Sequence, residues 1–297
     1  IANSHIEAAV QPIDSEPTET SVITRVRVVG NHLKSTTGGY AMTLSGSSVA
    51  TPASGYTVTG NTMLGSIYLV DVTDSVVSSN IIDATSSATL NAVEAFAYSR
   101  RITLAGNHLT AAAGKHGVRL AYSLGERPDG WLITDNIITT TGQANGIDAQ
   151  GPGDLSVRGN VIRHLTGGDV WTMGVHVQAT IDMGYCGIQG NQISGFARGV
   201  YAETYRTFTV RDLFVTENAV NNDLSGTTTP TVGIQLAGTA AQFLAAVVVG
   251  NLVSSAYATA EALSSVLVRI GGTTSRPVYS CYGTPEGAAT SSVSACG

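Results

Sequence analysis

The chain has 297 residues and a net charge of −6, with only 12% of its residues charged. It shows no basic stripe, which argues against a nucleic-acid partner, and no run of eighteen apolar residues, so no membrane insertion by a transmembrane helix is expected. The 34 glycines, set among abundant Ser, Thr, Ala and Val, read as an all-β chain with many turns.

Residues 1–21 read as an irregular N-terminal segment holding a partial coil. Within it, Ala2-Asn3-Ser4-His5-Ile6 is a degenerate copy of a phrase that governs the rest of the chain, with Ser4 standing 27 residues before Asn31. The sequence opens without Met in the middle of this pattern, which reads as a processed product or an excised piece. Residues 7–20 carry two prolines and four acids and read as a solvated loop.

Residues 22–270 are the expected body. Nine times the chain repeats an aliphatic residue, two small or polar residues, Asn, a variable residue and an aliphatic residue. The asparagines are Asn31, Asn61, Asn80, Asn107, Asn136, Asn160, Asn191, Asn218 and Asn251. The flanking residues, three before and two after, are aliphatic or Met in every copy. Spacings of 19 to 33 residues make this a loose repeat, the mark of a solenoid. Residues of equal parity share one face of a strand, so flanks at −3 and +2 require the chain to bend next to the Asn. The residue before the Asn is Gly in six of nine copies and accepts positive φ, with Ser79, Asp135 and Glu217 in the others. Asn amides both donate and accept, so stacked copies are expected to form a hydrogen-bonded ladder.

A second strand follows each phrase, as in Gly117-Val-Arg-Leu, Gly146-Ile-Asp-Ala and Gly174-Val-His-Val. Its first and third positions after the Gly are apolar and read as core, while the second and fourth point outward. Longer insertions at 121–130, 163–173 and 221–231 are expected on one face, often the binding face of a solenoid. Val266–Ile270 reads as a last strand, Ala256–Leu263 as a helical turn at most, and 271–297 as an irregular tail. Cys186 falls in an apolar column and reads as core. Cys281 and Cys296 are candidates for a disulfide that the sequence alone does not establish. His32 and His108 read as surface residues, and His116 and His164 lie in turns without an identifiable partner. No metal-site spacing, phosphate loop or nucleophile elbow is present, and Asp148, Asp154, Asp169 and Asp182 form no EF-hand, so neither metal nor cofactor is expected.

Gly-Asn phrases at this spacing, each followed by a Gly-Ile or Gly-Val strand, resemble the pectate-lyase-like superfamily. The resemblance implies a single-stranded right-handed parallel β-helix of about nine to ten coils. A second resemblance lies in Gly283-Thr-Pro-Glu-Gly-Ala-Ala-Thr-Ser-Ser-Val-Ser, which is similar to the segment following the β-helix in many bacteriophage tail proteins, with Ser294 in place of the usual Gly. Together they imply a tailspike-like protein, commonly homotrimeric, extracellular or on the virion, that recognises and in some members depolymerises bacterial surface polysaccharide. Two alternatives stand beside this: a secreted polysaccharide lyase or glycoside hydrolase, and a non-catalytic structural or adhesive β-helix.

Stacking the outward positions of the second strands gives Ala41, Tyr68, Glu94, Arg119, Asp148, His176, Tyr201 and Gln235, with Gln150, Gln178 and Glu203 in a parallel column. Carboxylates and amides suit sugar hydroxyls, and aromatic faces suit the ring. Tyr68, Gln150, Trp171, Gln178, Tyr201 and Gln235 are therefore the candidate binding residues. Trp171 and Asp169 are placed to overhang the strip, and Glu126, Arg127 and Asp129 to flank it. The candidate catalytic residues are Asp148, His176, Glu203, Glu94 and Arg119. Carboxylates two coils apart, such as Glu94 and Asp148, lie ~10 Å apart along the backbone, near the upper end for inverting glycosidases. Arg119 beside them is expected to lower their pKa values, and His176 to act as a base held by Asp148. Alternating charges are also an ordinary way to finish an exposed sheet face. Asp148→Ala and Glu203→Ala are expected to weaken binding or activity with little loss of stability.

Overall fold

The structure is a computed structural model. It describes every residue except 19–20, 97, 124–125, 166–170, 206, 222–231, 238–242, 255–265, 271–276 and 280–297. The Cys281–Cys296 pairing, the 283–294 segment, the turn at 256–263 and Asp169 therefore lie outside the described residues.

Each repeat makes three short strands, and each strand pairs in parallel with its counterpart one coil along. Sheet A collects the residues before each Asn, from Arg27–Val29 to Pro277–Tyr279; sheet B collects those just after it, from His5–Ala8 to Leu252–Ser254. Sheet C collects the second strands, from Ile13–Ser15 to Val266–Ile270. Sheets B and C are ten strands deep, and sheet A is eleven because Ala53–Ser54 adds a side pairing. No described residue is helical. The chain is a parallel β-solenoid, as the periodicity requires.

The bend beside each Asn is present in every copy. All nine preceding residues have positive φ, between 55° at Ser79 and 68° at Gly250, including Asp135 at 57° and Glu217 at 58°. That corner aims every Asn into the wall of the coil, where all nine are buried. Asn107 shows the bonding. Its backbone N–H and its amide both donate to Asn136 Oδ1 at 2.9 Å, and the amide also donates to the Val77 carbonyl at 2.9 Å. The same pattern continues to Asn251, and at the other end Ser4 N–H donates to Asn31 Oδ1 at 2.9 Å. Ser4 thus occupies the Asn rung of the first coil.

Seventeen of the eighteen flanking side chains are buried, the eighteenth (Val253) lying outside the described side chains. Burying each contributes about 1.5–3 kcal/mol, against about 1 kcal/mol for a typical hydrogen bond. Burial therefore holds the coil together, and the ladder fixes its register. Cys186 sits in this core beside Leu155 and Leu213, as expected.

Two sequence expectations need correction. The loop read at 7–20 contains the end of His5–Ala8 and the strand Ile13–Ser15, which pairs with Tyr40–Ser45. Ile13 turns into the core there, so a single apolar residue among acids and prolines makes a rung. A bulge between Tyr40 and Met42 shifts the register of Tyr40–Ser45 by one. Thr43, not Ala41, is the partner of Tyr68, and Ala41 is buried.

Candidate functional site

Sheet C sets the candidate residues in one file. In register the column runs Thr43, Tyr68, Glu94, Arg119, Asp148, His176, Tyr201, Gln235. Gln150, Gln178 and Glu203 form the adjoining column over consecutive coils. Trp171 stands at the edge with 67% of its surface exposed. The Arg198 guanidinium lies 5.3 Å from the Trp171 ring and 5.1 Å from the Tyr201 ring, and its Nε donates to Gln235 Oε1 at 3.0 Å. The flanking residues of 121–130 behave differently. Arg127 donates to the Asp182 carbonyl, and Asp129 accepts the Asp154 N–H, so both brace turns rather than face the strip.

The outward residues in the middle of the column are not exposed. Asp148 and His176 are buried, at 3% and 8% exposure. His176 Nδ1 lies 2.6 Å from Asp148 Oδ1, and its Nε2 lies 3.1 Å from Glu203 Oε1. With a carboxylate at each ring nitrogen, both nitrogens donate and the ring is an imidazolium. The carboxylates are also occupied. Asp148 accepts from the Asn145 and Gln150 amides at 3.0 and 3.1 Å, and Glu203 from Gln178 at 2.6 Å and from the Tyr201 hydroxyl at 2.9 Å. The Tyr201 ring stacks on His176 with centroids 5.5 Å apart.

These contacts set the proton affinities. Burial disfavours the charged form of His176, but its bonds to Asp148 and Glu203 overcome this and lift the pKa to about 9. Burial likewise works to raise Asp148, yet the bond and charge of His176, reinforced by the Asn145 bond, bring it to about 2. Glu203 is lowered chiefly by the His176 bond. For Asp148 the lowering partner is therefore His176, where the sequence suggested Arg119. A ring already protonated at neutral pH also opposes the base role expected of His176. Paired-carboxylate hydrolysis needs one carboxyl raised, and both Asp148 and Glu203 move the other way.

Three residues missed in the sequence build a second ladder at the turn leading into sheet C. The His116 N–H donates to Asn91 Oδ1, the Asn145 N–H to His116 Nδ1, and the Met173 N–H to Asn145 Oδ1, at 2.8–3.0 Å. From these anchored positions Asn91 donates to Glu94, Asn145 donates to Asp148, and His116 Nε2 lies 3.9 Å from Asp148 Oδ2. Burial lowers the His116 pKa, which fits a neutral ring whose Nδ1 accepts. A signal was present: Asn91-Ala-Val-Glu94 and Asn145-Gly-Ile-Asp148 repeat the same Asn-to-acid spacing. His164, by contrast, is a wall residue, donating from Nε2 to the Gly142 carbonyl at 2.7 Å and packing edge-on against Phe196.

The other end of the column is looser. Arg119 Nη1 lies 3.7 Å from Glu94 Oε1, an ion pair beyond hydrogen-bond length. Arg119 Nε is buried with no hydrogen-bond partner among the described residues. The Tyr40 and Tyr68 rings stack beside this pair, 5.0 Å between centroids. Burial, followed by the nearby Glu94 charge, pushes Tyr40 up to about 12 and raises Tyr68 as well.

Comparison with solved structures finds parallel β-helix proteins at low identity. DFA-IIIase from Arthrobacter chlorophenolicus A6, without its lid and in complex with GF2, is 12% identical with a TM-score of 0.45 over 93% of this chain. The A-module of the mannuronan C-5 epimerase AlgE4 of Azotobacter vinelandii is 14% identical with a TM-score of 0.39, covering 95% of this chain and 88% of the module. The Dettilon tailspike protein is 10% identical with a TM-score of 0.37, covering 91% of this chain. This chain spans 65% of the DFA-IIIase chain and 61% of the tailspike chain. No curated protein matches it. A family sequence model described as "Periplasmic copper-binding protein (NosD)" matches residues 54–239, which is more than half of the chain. The chain belongs to the NosD family of parallel β-helix proteins.

Proposed function

We propose that the chain binds an extended polysaccharide along the outer face of sheet C, in an extracytoplasmic setting. The observation that carries this reading is the column itself. Parallel register places hydrogen-bonding and aromatic side chains on successive coils from Tyr68 to Gln235, with the exposed Trp171 at its edge. Rungs ~4.8 Å apart make a rigid, linear template, which suits a chain-like ligand better than a compact one. A tailspike-like role, with a homotrimer on a virion, is the finer form of this proposal. A secreted lyase or hydrolase is its enzymatic form, and a purely adhesive β-helix its non-catalytic one. The saturated Asp148–His176–Glu203 cluster favours binding over cleavage.

Copper, which the family description names, does not fit the described residues. Copper takes imidazole and thiolate donors. Cys186 is enclosed in the core, where burial pushes its thiol up to about 12, and both His176 ring nitrogens are held by carboxylates. His5 and His32 stack on the outside of sheet B. No group of three or more His, Cys, Asp or Glu among the described residues is disposed around one point for a metal ion.

The test is a panel of purified capsular polysaccharides and lipopolysaccharide O-chains, assayed by affinity electrophoresis and for new reducing ends or ultraviolet-absorbing products. Retention by at least one polymer, weakened in Trp171→Ala, is expected. Failure of every polymer to bind contradicts the reading, and product release moves it to the enzymatic form.

A further inference from the structure

Resting on that reading, we infer that the Tyr68–Glu94–Arg119 end of the strip is a ligand-contacting subsite in addition to the Trp171 edge, and that it takes a neutral, hydroxyl-rich sugar unit. The polar atoms of the strip divide into two groups by what they already touch. At the Asp148 end, both His176 nitrogens, both Asp148 oxygens and both Glu203 oxygens are engaged by side chains of the protein. A sugar bonding to those groups would have to break charge-assisted bonds, two of them buried and the rest part-buried, each among the stronger kind in a protein.

At the other end, capacity is left over. Glu94 accepts only from Asn91, at 3.2 Å, among the described residues. Arg119 makes no hydrogen bond to a described residue, its Nη1 stands 3.7 Å from Glu94 Oε1, and over a third of its side chain is exposed. A hydroxyl is both donor and acceptor. Set over this pair, it accepts from the guanidinium and donates to the carboxylate, completing two groups that the fold leaves short. The Tyr68 ring, on the next coil and stacked on Tyr40, supplies the flat apolar face beside it.

Charge decides the class of sugar. Glu94 cancels Arg119 within 4 Å, and the next residue of the column, Asp148, is buried and matched by the charged His176 ring. An acidic sugar would therefore meet no unmatched cation and would face the Glu94 carboxylate, whereas a neutral one uses every group present.

The experiment measures affinity for each polysaccharide that the wild-type protein retains, in Glu94→Gln, Arg119→Gln and Tyr68→Ala, at ionic strengths from low to high. Melting temperatures confirm that each variant is folded, as expected for partly exposed side chains with few bonds. At least a tenfold loss in each variant is expected, with wild-type affinity nearly independent of salt because a neutral ligand releases no ions. Undiminished binding in Glu94→Gln and Arg119→Gln overturns the inference and leaves the polysaccharide reading standing. Affinity that falls steeply with salt also overturns it, by showing an anionic ligand. If the wild-type protein retains no polymer, the reading beneath the inference falls with it.

Discussion

Asp148→Asn probes how the buried charge of the strip is held. The substitution keeps the shape of the side chain but removes the anion that His176 Nδ1 meets at 2.6 Å, with both side chains at most 10% exposed. Lifting the His176 pKa from 6.5 to about 9, at 1.36 kcal/mol per tenfold change in proton affinity, corresponds to about 3 kcal/mol. Asp148 shares that effect with Glu203 and makes the shorter bond, so its loss is expected to cost about 2 kcal/mol near pH 6. The pH dependence has a definite sign. A raised His176 pKa stabilises the fold fully below pH 6.5, and that stability is lost as pH rises through about 9. The lowered Asp148 pKa stabilises it above 3.8, and that stability is lost as pH falls through about 2. The gap between wild type and variant is therefore widest from about pH 4 to 6.5 and shrinks toward pH 10. Urea-unfolding midpoints followed by circular dichroism across this range measure it. A gap of equal size at pH 6 and pH 10, or none at pH 6, refutes the charge-pair reasoning. The sequence-based expectation that Asp148→Ala leaves stability nearly untouched is revised by the same geometry, because the smaller residue takes from a buried cation the shorter of its two carboxylate bonds.

Three further outcomes follow from the same contacts. Asn136→Ala removes the acceptor of the Asn107 N–H and the donor to the Leu104 carbonyl. At about 1–3 kcal/mol for each of these two orphaned buried groups, a loss of about 2–6 kcal/mol in urea unfolding is expected, and a loss below about 0.5 kcal/mol contradicts the ladder. Glu217→Gly relieves a left-handed residue at an exposed corner with φ of 58°, so it is expected to raise stability by about 0.5–1 kcal/mol; a lowered melting temperature contradicts that. Leu104→Ala opens a hole in a fully buried site and is expected to cost about 2–5 kcal/mol, whereas the exposed Ile81 changed to Ala is expected to shift the midpoint little.

The solenoid was legible because its rule is local. Aliphatic residues at −3 and +2 cannot both face inward without a bend, and all nine bends are found, even where Ser79, Asp135 and Glu217 replace Gly. The column was legible from Tyr68 onward because a small residue, Ser, Ala or Gly, marks each strand start. It failed at Ala41, where a bulge inserts one residue without disturbing the apolar pattern. The burial of Asp148 was hidden for a different reason: its cover comes from Asn145 and His116 in the turn and from Gln150 in the neighbouring column. A strand-by-strand reading of faces treats those residues as unrelated. The inner proton balance, with His176 charged between two acids, needed the distances themselves.

The proposed function requires sheet C to be the face that meets a sugar. A crystal structure of the protein soaked with oligosaccharides cut from a polymer that it retains tests this most directly. The predicted result is a saccharide lying along the column, one ring against Tyr68 and one hydroxyl within hydrogen-bond reach of both Glu94 and Arg119. A saccharide seated instead on sheet A or sheet B, with sheet C bare, contradicts it.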